Sequence, residues 1–249
     1  MILTRRAALV GLSGSLVSGC DALGNNATFR DTLMTAEKGN FTVQRALSDR
    51  AALAREFAPE DMSPVFRANG TRKPKGDAYA AHMAGGFRDW RLKIDGKVAR
   101  PQSLSLAQIR TMPARTQITR HDCVEGWSAI GKWTGVPLKL LLDLAGVQAN
   151  ARFLVFHCAD LMGSGAAYYE SIDLIDALHP QTLIAWGLND QPLPVGNGAP
   201  LRLRVERQLG YKQAKYVERI EVVANLATIG AGKGGYWEDG AGYEWYAGI

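Results

Sequence analysis

The spacing of apolar positions predicts a helical start, then a long extended stretch, then a region of strands. Residues 28–58 place apolar side chains near helical spacing, which predicts helix across this range. Residues 59–88 hold three prolines and several glycines, which favours an extended segment. From Trp90 the period becomes two, which indicates a strand, and Asp95-Gly96 predicts a tight hairpin turn directly after it.

The rest of the chain mixes short helices with short strands. Helices are predicted after Ser105, which can cap one, from Pro137 to Gly146, and over 173–178. Strands are predicted at 116–119, 153–156, 183–186, 201–205 and 217–223. Because the elements follow no regular βαβ repeat, the sequence predicts an α+β fold that is mostly β.

Composition excludes several classes of protein. The chain has 249 residues, 47% hydrophobic and 21% charged, which is enough for one packed domain or two small ones. The net charge of +5 is scattered, and no basic run carries interleaved aromatic residues, so we expect no nucleic-acid partner. Three cysteines are too few for a disulfide scaffold. No uncharged apolar stretch is long enough to predict a transmembrane helix.

The first residues have the features of an export signal. Arg5 and Arg6 precede a short apolar run over 7–17, as in a signal peptide. The adjacent arginines resemble a twin-arginine signal, which carries proteins that fold before export. An ordinary secretory signal whose two basic residues are arginines is the alternative.

Residues 17–20, Val-Ser-Gly-Cys, resemble a bacterial lipobox. Removal of residues 1–19 would make Cys20 the lipidated first residue, and Asp21 beside it resembles an inner-membrane retention signal. The alternative is cleavage near the same small residues, which would release a soluble periplasmic protein. We therefore expect a periplasmic protein that is held to the inner membrane through lipidated Cys20.

Candidate chemistry is concentrated around Cys123, which follows a predicted strand within the run His121–Ser128. A thiolate there can bind a soft metal or act as a nucleophile. The residues alone leave three alternatives open: a disulfide with Cys158, a zinc site built with His121 and His157, and a Cys158 that is only a small core residue.

Two blocks around this cysteine agree in order with one known family. His-Asp-Cys-Val-Glu-Gly-Trp-Ser at 121–128 and Trp-Thr-Gly-Val-Pro-Leu at 133–138 resemble the molybdopterin oxidoreductases of the sulfite oxidase fold. Within that family they are most similar to the catalytic subunits of periplasmic protein-methionine-sulfoxide reductases. The resemblance spans about residues 60–225 and implies a mostly β, mixed-sheet fold. It also implies an Mo-molybdopterin cofactor whose metal is bound by Cys123.

Three further blocks carry the cofactor contacts that the resemblance implies. They lie at 66–70, 197–202 and 210–215. Besides Cys123, the implied cofactor-binding residues are Asn69, Cys158, Asn197, Arg202, Gln213, Ala214 and Lys215. Of these, Cys158 stands where the reductases have a threonine that contacts the cofactor.

The residue types in these blocks suit a pterin that carries a phosphate. The planar guanidinium of Arg202 can clamp a phosphate, and Lys212 or Lys215 can supply a point charge. Asparagine amides match the mixed donors and acceptors of a pterin edge. The alternation of Arg202 with Leu201 and Leu203 fits equally well a strand whose arginines face solvent.

The neighbours of the metal cysteine are candidates for catalysis. His121, Asp122, Glu125 and Trp127 surround Cys123 in sequence and can tune the metal or move protons. An ordinary polar loop has the same composition, so this alternative stays open for each of them.

The charges near Cys123 favour one substrate class over another. Sulfite oxidases resemble this chain but carry an arginine soon after the metal cysteine, and residues 124–131 have none. A buried anion needs positive partners, for which Arg67, Arg120 and Lys132 remain. We therefore expect oxygen-atom transfer with a small substrate, with sulfoxide reduction favoured. The alternatives are a sulfite oxidase-like dehydrogenase and a lipid-anchored binding protein that has lost the metal.

The resemblance also implies an organisation and a partner. We expect a signal at 1–19, a tether with N-terminal helices at 20–58, a catalytic domain at 59–225 and a Gly/aromatic tail at 226–249. The tail either covers apolar surface of the body or forms a docking face. A membrane cytochrome b is the expected electron partner, and the lack of an extra C-terminal domain favours a monomer.

Overall fold

The computed structural model describes three ranges of the chain: 26–47, 49–163 and 165–249. The predicted export signal and lipobox lie outside these residues. The chain divides into two units, one ending at Asp49 and one beginning at Arg50. In the first unit, helix α1 covers Ala27–Leu47. Across the described ranges, no helix combines the length and the apolar character needed to cross a bilayer.

The second unit contains one mixed β-sheet, one antiparallel β-sheet and five short helices among its described residues. The strands are β1 Arg91–Gly96, β2 Gln102–Ser105, β3 Arg115–Cys123, β4 Trp127–Pro137, β5 Phe153–Leu161, β6 Ala167–Asp173, β7 Leu183–Leu188, β8 Gln191–Pro192, β9 Arg202–Arg204 and β10 Val217–Val223. The helices are α2 Asp77–Ala84, α3 Leu106–Thr111, α4 Leu138–Ala145, α5 Leu174–Ala177 and α6 Tyr236–Ala241. Single 3₁₀ turns lie at Pro59–Asp61, Val195–Asn197 and Gly210–Lys212. This mixture confirms the predicted α+β class.

The first sheet forms one side of the main core. Its strand order is β2-β1-β10-β5-β6, with β1 parallel to β10 and the other neighbouring pairs antiparallel. Leu92 of β1, Phe156 of β5 and Ile220 of β10 are fully buried in one hydrophobic cluster. The alternation that begins at Trp90 therefore reflects one buried face of β1, as predicted.

The second sheet carries the candidate cysteine. Its strand order is β3-β4-β7-β8, and β9 also pairs with β7. β3 and β4 form a long antiparallel hairpin that ends with Cys123 opposite Trp127. Every second residue of β3 points inward, so Gln117 and His121 are buried although they are polar. The hairpin thus places Cys123 at the end of a buried polar face.

Capping explains two helix boundaries that the sequence predicts. At the start of α3, Ser105 Oγ accepts a hydrogen bond from the Gln108 N–H, and the Gln108 side chain accepts one from the Ser105 N–H. Helix α4 ends at Gly146, which adopts a left-handed φ of 70°. Pro137 is the last residue of β4, so α4 begins one residue later than predicted.

Two predictions for the segment before β1 are wrong. Residues 50–58 are not helical, because the Phe57 N–H donates to the Ile118 carbonyl and this stretch lies along β3. The segment predicted as extended contains α2. Tertiary packing stabilises that helix: Tyr79 is buried and its Oη donates to the Ala199 carbonyl at 2.7 Å.

Strand pairing corrects three further predictions. The hairpin after β1 does not close at Asp95-Gly96, because Gly96 still pairs with Val222 of β10 and β2 starts only at Gln102. β4 and β6 were not predicted, although each is a central part of its hairpin. The two glycines of β4 and the polar residues of β6 weaken the strand signal, and the buried face of each strand appears only when its partner strand is in place.

A buried ion cluster joins the C-terminal segment to the body. Nζ of Lys212 lies 2.5 Å from Glu170 Oε1 and 2.6 Å from Glu238 Oε1, and all three side chains are inaccessible to solvent. Glu170 belongs to β6 and Glu238 to α6. Desolvation raises the pKa of Glu170 well above its usual range, while Lys212 opposes the shift. The Gly/aromatic tail therefore contains a helix that packs on the body.

We predict that Lys212→Met destabilises the fold by about 3 to 5 kcal/mol, because it leaves two buried carboxyl groups without their cation. Urea denaturation of the purified variant measures this loss. The control is Lys139→Met, since Lys139 forms an exposed ion pair with Asp143 at 2.6 Å. Its effect should stay below about 0.5 kcal/mol. Equal free energies of unfolding for the two variants would contradict the role of Lys212 in stabilising the buried ion cluster.

Candidate active site

Cys123 is the last residue of β3 and only 6% exposed. A tight turn follows it, in which the Gly126 N–H donates to the Cys123 carbonyl at 3.0 Å and Gly126 adopts a φ of 84°. Burial raises the pKa of the Cys123 thiol, while hydrogen bonds from the Glu125 backbone and the Asn69 side chain favour the thiolate. The sulfur is thus held by polar donors from two separate loops.

Cys123 lies on the wall of a cavity of about 200 Å³. Three other predicted cofactor residues line the same cavity: Asn69, Gln213 and Lys215. They come from the loop before α2 and from the segment after β9, which lie far apart in sequence. The fold therefore brings together four of the residues that the sequence comparison singled out.

Lys215 supports the cavity wall through hydrogen bonds to backbone carbonyl groups. Its Nζ donates to the carbonyls of Asn69 at 2.6 Å and Gly196 at 3.0 Å, and also to that of Thr71. Burial and the nearby Arg202 lower the pKa of Lys215 to about 7. The lysine thus fixes the loop that carries Asn69, in addition to lining the cavity.

His121 supports the cysteine from inside the fold. It is 1% exposed, and its Nδ1 lies 3.0 Å from a guanidinium nitrogen of Arg204. Burial and the charges of Arg204 and Arg202 lower the pKa of His121 well below its usual range, so the ring is neutral at physiological pH. The ring centroid of Trp127 lies 5.6 Å away, and the Trp127 indole N–H donates to Glu125 at 2.9 Å.

Asp122 differs from the other candidate catalytic residues in its location. Because side chains alternate along β3, it faces away from the cavity. Its carboxylate accepts hydrogen bonds from Arg120 at 2.9 Å and from Ser128 at 2.5 Å. Of the four catalytic candidates around Cys123, only Glu125 lines the cavity directly.

Three predicted cofactor residues lie behind the cavity wall. Arg202 donates to the carbonyls of Asn197 at 2.8 Å and Gln213 at 3.3 Å, and its guanidinium lies 4.9 Å from the Trp133 ring centroid. Arg202 is 1% exposed, so the solvent-facing alternative is wrong. Asn197 and Ala214 are also buried and do not line the cavity.

Cys158 lies in the main hydrophobic core on β5 and is 2% exposed. Both Cys158 and Cys123 are free thiols, which contradicts the disulfide alternative. Among the described residues, no group of three or more His, Cys, Asp or Glu side chains is placed to bind a metal. The zinc alternative therefore has no support there. The structure matches the third alternative, a small core side chain.

Sequence reasoning missed Asp160, which lines the cavity at the end of β5. It is 4% exposed, and burial raises its pKa to about 6. Its Oδ1 has no hydrogen-bond partner in the part of the chain that the structure describes. A carboxylate in the mostly apolar run Phe153–Leu161 is the signal that would have found it.

Sequence reasoning also missed the four aromatic residues of the cavity wall: Tyr168, Tyr211, Trp237 and Tyr243. Two of them belong to the tail, which has no strand or helix period to suggest which side chains face inward. Only the packing of α6 on the body brings them to the cavity.

These residues fit the molybdenum-pterin cofactor that the resemblance implies. Cys123 offers one sulfur ligand, while Asn69, Gln213 and Lys215 place two amides and an ammonium around the same space. A buried carboxylate oxygen without a donor, as in Asp160, is costly, and the N–H groups of a pterin would satisfy it. The cavity therefore matches a group with a thiophilic metal and polar edges.

We predict that Gly210→Ala disturbs the site, because an added Cβ would lie 2.5 Å from His121 Nε2. The clash should cost about 1 to 3 kcal/mol and lower the cofactor content of the purified protein. Thermal unfolding and pterin assay measure the two effects. The control is Gly240→Ala, which meets no atom within 4 Å and should leave both quantities near those of the wild type. A Gly210→Ala protein with wild-type stability and cofactor content would show that the close approach of Gly210 to His121 is not needed.

Comparison with known proteins agrees with this geometry. The family described as the oxidoreductase molybdopterin binding domain matches residues 81–228. A relative from Azospira oryzae, provisionally named protein-methionine-sulfoxide reductase subunit YedZ1, is 36% identical over 99% of this chain and 86% of its own length. The catalytic subunits MsrP of protein-methionine-sulfoxide reductases from Xanthomonas campestris and Xanthomonas axonopodis are 37% identical over 147 residues, which cover 55% of this chain and 46% of theirs.

Among solved structures, the sulfane dehydrogenase SoxCD from Paracoccus pantotrophus is similar in fold, with a TM-score of 0.50. It is 24% identical, and the match covers 55% of this chain and 39% of that one. The family match covers more than half of the chain, and the relative from Azospira oryzae extends over nearly all of it. The chain therefore belongs to the oxidoreductase molybdopterin binding domain family and is a molybdopterin-dependent oxidoreductase of the sulfite oxidase fold.

Proposed function

We propose that this enzyme reduces the sulfoxide of an oxidised methionine side chain in the periplasm. The sulfur–oxygen bond breaks, two electrons and two protons are consumed, and a thioether and water leave. The electrons come from a membrane cytochrome b. The names of the relatives at 36–37% identity support this reaction class, and the charge of the cavity supports the substrate class.

The single observation that carries the proposal is the lack of a free cation in the described wall of the cavity. Its charged residues are Glu125, Asp160 and Lys215, and the Lys215 ammonium is already bound by backbone carbonyls. An anion such as sulfite would meet the Glu125 carboxyl group there and no free cation in the described wall. A sulfoxide is neutral, and it needs only hydrogen-bond donors and an apolar surface.

The three cations considered for sulfite lie elsewhere. Arg120 pairs with Asp122 outside the cavity, and Lys132 pairs with Asp190 at 2.8 Å. Arg67 is exposed and does not line the cavity. The sulfite oxidase-like alternative therefore has no observation in its favour at this site.

Each residue then has a role in the mechanism. Cys123 would hold the metal, and the amide groups of Asn69 and Gln213 and the carboxyl group of Asp160 would bind the polar groups of the pterin. When bound, the cofactor supplies two-electron redox chemistry and oxygen-atom transfer. Nδ1 of neutral His121 accepts a hydrogen bond from Arg204, so its one ring proton is on Nε2, which faces Gly210, and the ring keeps the end of β3 in place.

The remaining parts of the proposal concern location and assembly. The signal at 1–19 directs export by the twin-arginine route, and lipidated Cys20 holds the protein at the inner membrane. An anchor at this position keeps the enzyme near a membrane haem protein. The catalytic body acts as a monomer.

The test of the cofactor assignment is molybdenum and pterin content of the protein exported from a host supplied with molybdate. We expect about one molybdenum per chain, and its loss or redox silence in Cys123→Ser with the fold retained. The matched control is Cys158→Ala, which should keep its molybdenum because Cys158 lies in the apolar core. Absence of molybdenum from the wild-type protein would overturn the proposal and favour an anchored binding protein.

The anchor is tested separately by Cys20→Ala. This variant should leave the membrane fraction, and its mature chain should lack the mass of the lipid, while molybdenum content stays normal. Fractionation and intact-mass spectrometry make the measurement. A wild-type mature chain that is soluble and unmodified would remove the anchor from the proposal without affecting the enzyme assignment.

A further inference from the structure

Three aromatic side chains form one side of the cavity that contains Cys123: Tyr211, Trp237 and Tyr243. We call this set the aromatic wall. The rings of Trp237 and Tyr243 are stacked, with centroids 5.8 Å apart and planes at 24°. Tyr211 meets Tyr243 edge-on at 5.0 Å and 77°. The three rings thus form one continuous apolar surface beside the candidate metal ligand.

Most of the aromatic wall comes from outside the family match. That match ends at residue 228, whereas Trp237 and Tyr243 belong to the C-terminal segment. Cys123, Gln213 and Lys215 therefore lie within the family match, and two of the three rings lie after it. Such a division lets the substrate-facing surface differ among proteins that keep the same cofactor site.

The C-terminal segment is held firmly enough to shape a site. Lys212 binds Glu238 within the buried ion cluster. The Tyr211 hydroxyl donates to the Glu244 carbonyl at 2.6 Å, which joins the body directly to the segment. The Trp245 indole N–H donates to Ser171 Oγ at 2.8 Å. These bonds hold the aromatic wall in place on both sides of Tyr243.

The chemistry of the aromatic wall defines what it can bind. Aromatic faces attract sulfur and methyl groups, and they offer no charge to an anion. The nearby Glu125 carboxyl group also disfavours negatively charged substrates. A methyl sulfoxide on an uncharged side chain meets these conditions, since its sulfur and methyl can lie on the rings while its oxygen points toward Cys123.

We propose that the aromatic wall is the specificity-determining surface of this enzyme and that Trp237 and Tyr243 receive the methyl-sulfur end of a methionine sulfoxide side chain. This inference rests on the proposed function. It assigns to the C-terminal segment a role in choosing the substrate. The segment makes no contribution to binding the metal.

The test uses the molybdenum-loaded, full-length enzyme with reduced benzyl viologen as electron donor. The substrate is N-acetyl-methionine sulfoxide methylamide, which carries no charge. Trp237→Ala should raise the KM about tenfold and leave kcat within about twofold, because the contact with the ring is lost while the metal site is intact. Trp237→Phe keeps an aromatic face and should restore most of the affinity. Calorimetric binding to the oxidised enzyme without a donor should show the same loss.

Two variants serve as controls for folding. Ile249→Ala truncates an apolar side chain of the same segment that is 59% exposed and lies at a different cavity, so its KM should equal that of the wild type. If Trp237→Ala unfolds or loses molybdenum, Tyr243→Leu replaces it, since Leu keeps the apolar volume without a ring. Melting temperature and molybdenum content establish that each variant is intact.

The outcomes separate this inference from the proposed function. If the wild type reduces the sulfoxide but intact Trp237→Ala and Tyr243→Leu keep the wild-type KM, the aromatic wall inference is overturned and the proposed function stands. If the loaded wild type reduces no sulfoxide, both are overturned. A tenfold KM change confined to the ring-removing variants supports both.

Discussion

The buried ammonium of Lys212 is the interaction on which the architecture of the site depends. It follows directly after Gly210 and Tyr211, which line the cavity, and it joins Glu170 of the first sheet to Glu238 of the C-terminal helix. A lysine with two carboxyl groups in a dry interior is stable only when all three groups stay together, because each charge alone would be costly. The cluster therefore fixes the relative positions of three distant pieces of chain.

A second group of buried cations lies behind the cavity. The guanidinium groups of Arg202 and Arg204 lie 4.9 Å and 4.3 Å from the Trp133 ring centroid, and Glu206 neutralises one of them. Arg202 and Lys215 contribute positive charge close to the polar residues of the cavity, and the arginines keep His121 neutral. An interior of this kind favours a cofactor that itself carries negative charge, such as a phosphate and a dithiolene.

The same cations explain why the cavity can favour a negatively charged cofactor and, at the same time, a neutral substrate. The positive groups lie behind the wall, where Arg202 donates to two carbonyls and Arg204 pairs with Glu206, so their field acts on a group bound deeply. The cavity surface itself carries carboxyl and aromatic groups. A deeply bound anionic cofactor and a neutral substrate are thus compatible within one cavity, whereas an anionic substrate would gain little from cations that lie behind the wall.

What the sequence could and could not predict depends on whether a feature is set by local residues or by long-range packing. Local sequence patterns were enough to predict β1, β10 and the helix cap at Ser105. Each strand is marked by the alternation of its one buried face, and the cap is marked by a residue that can accept a local hydrogen bond. Motif order identified Cys123, Asn69, Gln213 and Lys215, which do line one cavity. The burial of Arg202 could not be predicted, since an arginine alternating with leucines looks solvent-exposed until Trp133 and the facing carbonyls are in place.

The aromatic wall was beyond sequence reasoning for a related reason. No local period marks Trp237 or Tyr243, and their positions depend on an ion pair between residues 26 positions apart, Lys212 and Glu238. A side chain placed by a long-range buried contact leaves no pattern in its own segment. The residues that the family resemblance assigns to the cofactor lie in contiguous blocks of sequence, whereas the aromatic wall depends on the packing of one segment on another. Family membership therefore identifies the chemistry of this enzyme but gives less information about its substrate. The substrate has to be inferred from the three-dimensional structure of the cavity.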